Sequence, residues 1–392
     1  MVGWWKTLSR VLIISKRRSE TGKKKELRKK LCLVIPSLQV GGMERVMSEL
    51  ADCFCRKNNL EVHLVLYGRK PDIYYKIPDN LIIHKPKAAF NDKFRAIASL
   101  GRMIYLRYRV KTIKPDSVLS FGEYWNSFVL LSLYGLGYPI YISDRCSPEK
   151  KFNSIHSYLR KWLYTRSSGI IAQTQKAKEV YYSEFKHSNI EVIGNPIKKF
   201  INKVTLTGKK NIVLSIGRLI ETKHYDKLIE VFSGISAPGW KLVIVGGNAI
   251  KQNNMKKLKQ LIHSLRLDDS ICLTGSQTDV EYYFKQSKIF AFTSSSEGFP
   301  NVIGEALSSG IPVVAFDCVA GPSEMIINNV NGFLVPVFDW SMFKQCLQTL
   351  INDEHLRSHF AENSPSTVRK FSNKIIGQKY LDFLLKGDRV IL

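Results

Sequence analysis

IFAFTSSSEGFPNVIGEALSSGIPVVAF, residues 289–316, sets two apolar runs on either side of one amphipathic run. Ile289–Thr293 is short, apolar and β-prone, as a buried strand is. Residues 294–301 hold Gly298 and Pro300 and read as a loop. The pattern predicts a helix over 302–309, with Asn301 as N-cap and Gly310 at the C′ position. Pro312–Phe316 is the next buried strand. Strand, loop, helix, strand is the repeating unit of a parallel α/β sheet. Glu297 falls on the loop at the carboxyl end of the first strand, and Glu305 about one turn into the helix. Ligands of open parallel sheets bind at those strand ends, where the free N–H groups of a helix start attract phosphate. Two acids beside such a place suit the gripping of sugar hydroxyls. Taken alone, an acid near a helix start equally well complements the helix dipole.

Working outward, the 392 residues are enough for two domains. A hydrophobic content of 44% is that of a globular chain. Lys and Arg number 59 against 33 Asp and Glu, a formal charge of +26, which calls for an anionic partner: nucleic acid, an anionic membrane or phosphorylated substrates. The seven cysteines are scattered and odd in number, with no CxxC, so buried thiols in a reducing compartment are expected. The apolar core at 11–14 is too short for a signal peptide. The longest apolar stretch, 128–142, is interrupted by Gly135, Gly137 and Pro139 and is short of a membrane span. A cytoplasmic protein without a transmembrane helix is expected.

Residues 1–30 stand apart: Trp4, Trp5, Leu8, Val11 and Leu12 recur at helical spacing among Lys and Arg, the profile of an interfacial helix, or else of a basic arm. Leu31–Pro36 is a buried strand, followed by a turn with Gly41 and Gly42, an amphipathic helix, and a strand at 61–67. That is how a Rossmann-like domain opens, without the third glycine of a dinucleotide fingerprint. Two helices, 91–114 and 148–166, mix aromatics with bases and suit a membrane surface or a solvated outer face. Strands at 117–120 and 140–143 end in Glu123 and Arg145, which read as cleft-facing or as members of buried ion pairs. Residues 198–210 are polar and basic, a linker. The expected organisation is a basic segment 1–30, a first domain 31–197, a linker 198–210, a second domain 211–370 and a final segment 371–392 returning to the first domain. In the second domain, the strand 211–216 leads into a turn carrying Arg218 and Lys223. Two cations after one strand can clamp a diphosphate, Arg with its fork and Lys as a point charge.

Glu297 and Glu305, with seven residues between them in EGFPNVIGEA, together with GGMER (41–45), GRLIETK (217–223), GPSEMI (321–326) and NGFLV (331–335), resemble the retaining nucleotide-sugar glycosyltransferases of the two-domain GT-B fold. More narrowly, the chain is similar to the bacterial group that builds lipopolysaccharide, capsule and O-antigen chains. The likeness runs from about residue 31 to about residue 385. It implies an α/β fold of two Rossmann-like domains facing across a cleft. It also implies a donor, a nucleotide-diphosphate sugar and most simply a UDP-hexose or UDP-N-acetylhexosamine, lying mainly on the second domain.

In that reading Arg218 and Lys223 stabilise the leaving diphosphate and Glu297 orients the transferred sugar. Glu305 holds the ribose. Gly42, Gly298, Phe299, Pro300, Asn301 and Val302 bring backbone up to the donor, and Gly275 and Ser276 cradle the base, with Leu273 where the group has Phe. Glu123 and Arg145 lie nearer the acceptor, Cys146 standing where Asn is usual. His224 stands where glycine is frequent. No Asp-x-Asp motif occurs, so no metal and no other cofactor is expected. The implied acceptor is a lipid-linked oligosaccharide or the lipid A core, met at the anionic inner face of the cytoplasmic membrane. Nucleic acid is not expected as a partner, since no recognition module accompanies the charge. The rival readings are a basic nucleic-acid-binding protein and a catalytically idle membrane scaffold on the same fold.

Overall fold

A computed structural model describes residues 28–198, 208–249 and 252–386. The expected interfacial helix of segment 1–30 and most of the 198–210 linker lie outside the described residues. Two parallel sheets make up the rest. The first has seven strands: β1 (Lys29–Ile35), β2 (Leu60–Leu66), β3 (Ile82–His84), β4 (Ser117–Phe121), β5 (Ile140–Ser143), β6 (Gly169–Ala172) and β7 (Ile190–Val192). The second has six: β8 (Lys210–Ile216), β9 (Lys241–Val245), β10 (Ile271–Gly275), β11 (Ser287–Phe292), β12 (Val313–Phe316) and β13 (Gly332–Val335). Their orders are β3-β2-β1-β4-β5-β6-β7 and β10-β9-β8-β11-β12-β13. All the paired strands are parallel; Leu33, for instance, sits opposite both Leu64 and Leu119. Central strands such as β4 and β12 are buried along their whole length, which is why they read as unbroken apolar runs rather than alternating ones.

In each sheet the strand order reverses once, between β1 and β4 and between β8 and β11. These are the topological switch points, where loops leaving adjacent strands part to opposite sides and open a crevice. Four of the segments singled out above fall on the loops leaving these strands: residues 41–45 after β1, 121–123 after β4, 217–223 after β8 and 294–301 after β11.

The organising segment differs at its helix start. The helix is Asn301–Ser308, with Pro300 at the N-cap and no side-chain cap. Asn301 does not cap it, because its Oδ1 is taken by Asn195 Nδ2 of the first domain at 2.9 Å. Gly310, just past the helix, has φ +65°, the left-handed value a C′ residue needs. The sequence reading omitted β3, whose three residues at a sheet edge are too few for a period to show.

Helices Arg95–Ile113, Glu123–Leu133 and Ser154–Tyr164 pack side by side on one face of the first sheet, over Val34, Val118 and Ile142. Helix Gly42–Cys55 covers the opposite face with helix Asn373–Leu385, which has crossed back from the second domain. Tyr380 and Phe383 of that returning helix pack on Phe121 and Tyr141. The chain passes between domains twice, and the two passages touch: Ile197 N donates to Phe371 O at 2.8 Å and Ile197 bridges Ser372 in parallel. One apolar core, from Leu31 through Phe299 and Ile303 to Phe371 and Tyr380, runs through both domains.

Candidate active site

The loop after β8 narrows into a single 3-10 turn, Glu221–Lys223, and the chain then enters helix Tyr225–Ser233 through His224 at φ +50°. That left-handed conformation is the one glycine adopts most readily, the physical reason glycine is frequent there in the group the chain resembles. His224 is pinned in it by a hydrogen bond between Nε2 and Ser295 Oγ at 2.8 Å. The loop leaving β11 grips the same turn: Ser295 N donates to Thr222 O and Thr293 Oγ1 to Lys223 O. The loops carrying Lys223 and Glu297 are thus stitched together by backbone and hydroxyl bonds before any charge is counted.

Lys223 Nζ meets Glu297 Oε1 at 2.5 Å, with only 15% and 19% of the two side chains exposed. The same carboxylate oxygen accepts from Ser294 Oγ at 2.8 Å, and the ammonium lies 4.9 Å from the centre of the Phe292 ring. Gly217 makes room for the side chain, since a Cβ there would stand 2.8 Å from Tyr225 Oη and 3.0 Å from Lys223 Cε. Gly246, at the end of β9, backs this turn: its Cβ would run into the Gly217 carbonyl. Arg218 follows Gly217, near enough to Glu44 of the first domain for its charge to be felt there. Burial raises the Glu44 carboxyl above its usual range, and the nearby Arg218 charge opposes the rise.

Glu305 is not in the first helical turn; it is the fifth residue of its helix, and its side chain is buried. Its carboxylate meets the Arg45 guanidinium of the first domain, 260 residues away in sequence. Two ion pairs, Lys223–Glu297 and Arg45–Glu305, therefore hold the two acids separately. Gly42 starts helix Gly42–Cys55 with open space around its α-carbon, room for something to come close to backbone. The turn before it is held by Tyr75, whose hydroxyl donates to Gly41 O and accepts from Gly41 N.

The remaining expected donor residues divide. Gly298 approaches the first domain so closely that a Cβ would lie 2.8 Å from Cys146 O. Pro300 packs on Gly321, and Val302 lines the shared core. The Phe299 ring packs edge-on against Phe371 at 5.3 Å, beside the domain crossings, which leaves only its backbone for the expected donor contact. Gly275, at φ +73°, ends β10, and Ser276 Oγ rests against Gly247 at the end of β9.

Neither acceptor candidate is free. Lys150 Nζ caps Glu123 Oε1 at 2.7 Å, and this salt bridge helps hold the carboxyl below its ordinary range although burial pushes it up. Arg145 donates to Asn195 Oδ1 at 2.6 Å and to Tyr380 Oη at 2.8 Å, with its guanidinium 3.4 Å from the centre of the Phe121 ring. The ion-pair alternative thus describes Glu123. Arg145 ties the loop after β5 to the domain crossing and to the returning helix. Through Asn195 that network reaches Asn301 in the second domain. Beneath it, buried Asp144 accepts from Arg160 at 2.5 Å, Tyr164 at 2.6 Å and Asn126 at 2.9 Å, a fully partnered carboxylate that stiffens the loop.

The sequence reading assigned no part to Arg45, Glu44 or Asn195. A signal for the first existed: Arg45 and Glu49 stand at i and i+4 on one helix face, the spacing of a helical ion pair.

Comparison with known proteins gives a consistent result. Residues 196–367 match the family of glycosyl transferases group 1, and residues 40–199 match glycosyltransferase family 4. The chain is 28% identical over 366 residues to the amylovoran biosynthesis glycosyltransferase AmsD of Erwinia amylovora, covering 91% of this chain and 99% of that protein. It is 28% identical over 377 residues to the N-acetylgalactosamine-N,N'-diacetylbacillosaminyl-diphospho-undecaprenol 4-alpha-N-acetylgalactosaminyltransferase of Campylobacter jejuni, covering 91% and 99% of the two chains. Anabaena HepE, solved with UDP and glucose, superposes with a TM-score of 0.73 at 18% identity over 92% of this chain and all of its own, a likeness of fold. Two Rossmann-like domains, two family matches that between them span residues 40–367, and relatives matched over nearly their full length agree: the chain belongs to the GT-B glycosyltransferases of polysaccharide synthesis.

Proposed function

We propose that the protein transfers a hexose or N-acetylhexosamine, with retention of anomeric configuration and without a metal, from a UDP-sugar to a lipid-linked saccharide at the inner face of the cytoplasmic membrane. The observation that carries the reading is the Lys223–Glu297 pair at the switch point of the second sheet, with Arg218 on the same turn. Cations fixed in advance beside a leaving group are worth more than mobile ones, because they need no reorganisation as charge develops. Arg218 and Lys223 receive the β-phosphate. Glu297, released from Lys223 as the phosphate arrives, turns to the sugar hydroxyls, and Glu305 takes the ribose. The bond from the sugar's anomeric carbon to the phosphate oxygen breaks while the acceptor oxygen bonds the same face of that carbon. The acceptor proton passes to the departing phosphate, so no separate base is required.

A lipid-linked acceptor is favoured by the Campylobacter jejuni relative, whose name specifies a diphospho-undecaprenol acceptor. It is favoured also by the outer face of the first domain. Phe94, Ile97, Leu100, Ile104 and Tyr108 form an exposed stripe along helix Arg95–Ile113, and Ile155 and Tyr158 stand exposed on a second helix of the same row. Among the described residues no helix is long and apolar enough to cross a membrane. The test is transfer from UDP-glucose, UDP-galactose, UDP-N-acetylglucosamine and UDP-N-acetylgalactosamine to a short-chain polyprenyl-diphosphate saccharide in EDTA, with the product anomer read by NMR. An α-linked product from one of these α-linked donors is expected. A β-linked product, or turnover only on restoring a divalent metal, overturns the mechanism.

A further inference from the structure

Glu305 is buried, and its partner comes from the other domain. Arg45 Nη1 donates to Glu305 Oε1, leaving Oε2 outside that bond. The contact is single-pronged, although Arg and carboxylate ordinarily meet through two parallel bonds. Glu49 Oε1 lies 3.4 Å from Arg45 Nε, a charge contact without hydrogen-bond alignment. Arg45 Nε and Nη2 and Glu49 Oε2 are buried and have no hydrogen-bond partner among the described residues. Unmet donors and acceptors at such a depth are rare in a finished structural ion pair. They lie on the first turns of a helix whose opening residue, Gly42, has open space beside it.

A vicinal diol has the complementary set: hydroxyl protons for a carboxylate oxygen and lone pairs for an N–H. We propose that Arg45 is a positioning residue for the ribose of the donor. It reaches across the crevice to fix Glu305 by one oxygen, so that the other oxygen and the free Nη2 together receive the two ribose hydroxyls, while Glu49 steadies Arg45 from behind. Ribose recognition is then completed by both domains, and it is complete only when they are closed. The inference rests on the reading of Glu305 as the ribose acid.

The test is calorimetric binding of UDP and of 2′,3′-dideoxy-UDP to the full chain, with melting temperature followed for each variant. A site built around hydroxyls rejects a ligand lacking them, so the wild type is expected to favour UDP by about 30-fold or more. Glu305→Gln and Arg45→Met both bring the ratio to within about threefold of unity. Arg45→Lys keeps the charge but not the fork and leaves an intermediate ratio, as does Glu49→Gln, which removes only the support. A merely structural Arg45 would shift melting and weaken both ligands equally. If the ratio falls in Glu305→Gln but stays at the wild-type value in Arg45→Met and Arg45→Lys, the role of Arg45 is overturned and that of Glu305 stands. If Glu305→Gln keeps the wild-type ratio, or the wild type does not bind UDP or does not tell the two ligands apart, the ribose reading fails and the positioning role with it. Should Arg45→Met not fold, Arg45→Lys and Glu49→Gln decide by the same ratio.

Discussion

Replacing Lys223 with Met removes a cation and leaves Glu297 behind at 19% exposure, with Ser294 Oγ as its remaining described hydrogen-bond partner. Stranding one member of a fully buried pair costs about 3–5 kcal/mol; here solvent reaches both groups in part, so about 2 kcal/mol is expected. For unfolding of the second domain, a unit of about 150–250 residues, that lowers the melting temperature by about 4–8 °C. Adding Glu297→Gln removes the stranded charge while Ser294 still bonds the amide, and should recover most of the loss, a coupling of about 1.5 kcal/mol. Catalysis follows a different rule. The cation acts on charge that exists only in the transition state, so Lys223→Met should lower kcat by about 10²–10³, and the double variant should recover none of it. Thermal unfolding and transfer of radiolabelled sugar, run on the two single variants and the double, separate these effects. Additive melting losses would show that the pair is not coupled. A kcat for Lys223→Met within about threefold of wild type would remove Lys223 from the chemistry.

Gly246→Ala pushes a methyl into the Gly217 carbonyl, which as backbone has nowhere to go, and should cost at least about 2–3 kcal/mol in a denaturant melt. Gly42→Ala meets nothing and should leave the melt unchanged while weakening UDP binding in calorimetry, if the donor approaches the backbone there. Glu49 is raised to about 7, chiefly by burial and further by Glu305, against Arg45 and Lys198. The native state therefore binds more protons than the unfolded chain between about pH 4.5 and 7, and stability falls as pH rises through that window, by at most about 3 kcal/mol. Glu49→Gln should flatten this decline in melts taken across that range, and an unchanged slope would show that Glu49 is not its source. Ile104→Glu, on the exposed stripe, should reduce co-sedimentation with vesicles containing anionic lipid without moving the melting temperature; undiminished co-sedimentation would place the membrane face elsewhere.

The strand–loop–helix–strand units were legible because fully buried parallel strands are unbroken apolar runs, and because Gly298, Pro300 and Gly310 mark their ends. Arg218, Lys223 and Glu297 were legible for the same local reason: each lies a few residues past such a run. What escaped the sequence lies across long separations. Nothing near Glu305 announces Arg45, 260 residues away, and nothing near Arg145 announces Tyr380, which comes from a helix returning from the second domain. The helix 91–114 reads from the sequence as a mixture of aromatics and bases, with nothing to say which of them face outward. In the fold, Arg102 donates to Ala88 O and Arg107 to Ser132 O and Tyr134 O, so two of its cations are spent on carbonyls, and the apolar stripe lies exposed beside Arg95 and Lys111. Composition gives the number of charges; it does not say which of them the backbone claims.

The adjacency of the two interdomain passages has a mechanical consequence. Two strands of chain lying side by side and bonded at Ile197 and Phe371 act as paired pins on one axle. Swinging about the line through them stretches neither, whereas sliding or twisting one half against the other would tear the bond between them. Rotation about that line is thereby the relative motion that costs these two contacts least. A cut made before Ser372 would remove one pin together with the Tyr380 hydroxyl that anchors Arg145, leaving the halves on a lone tether with many directions in which to drift.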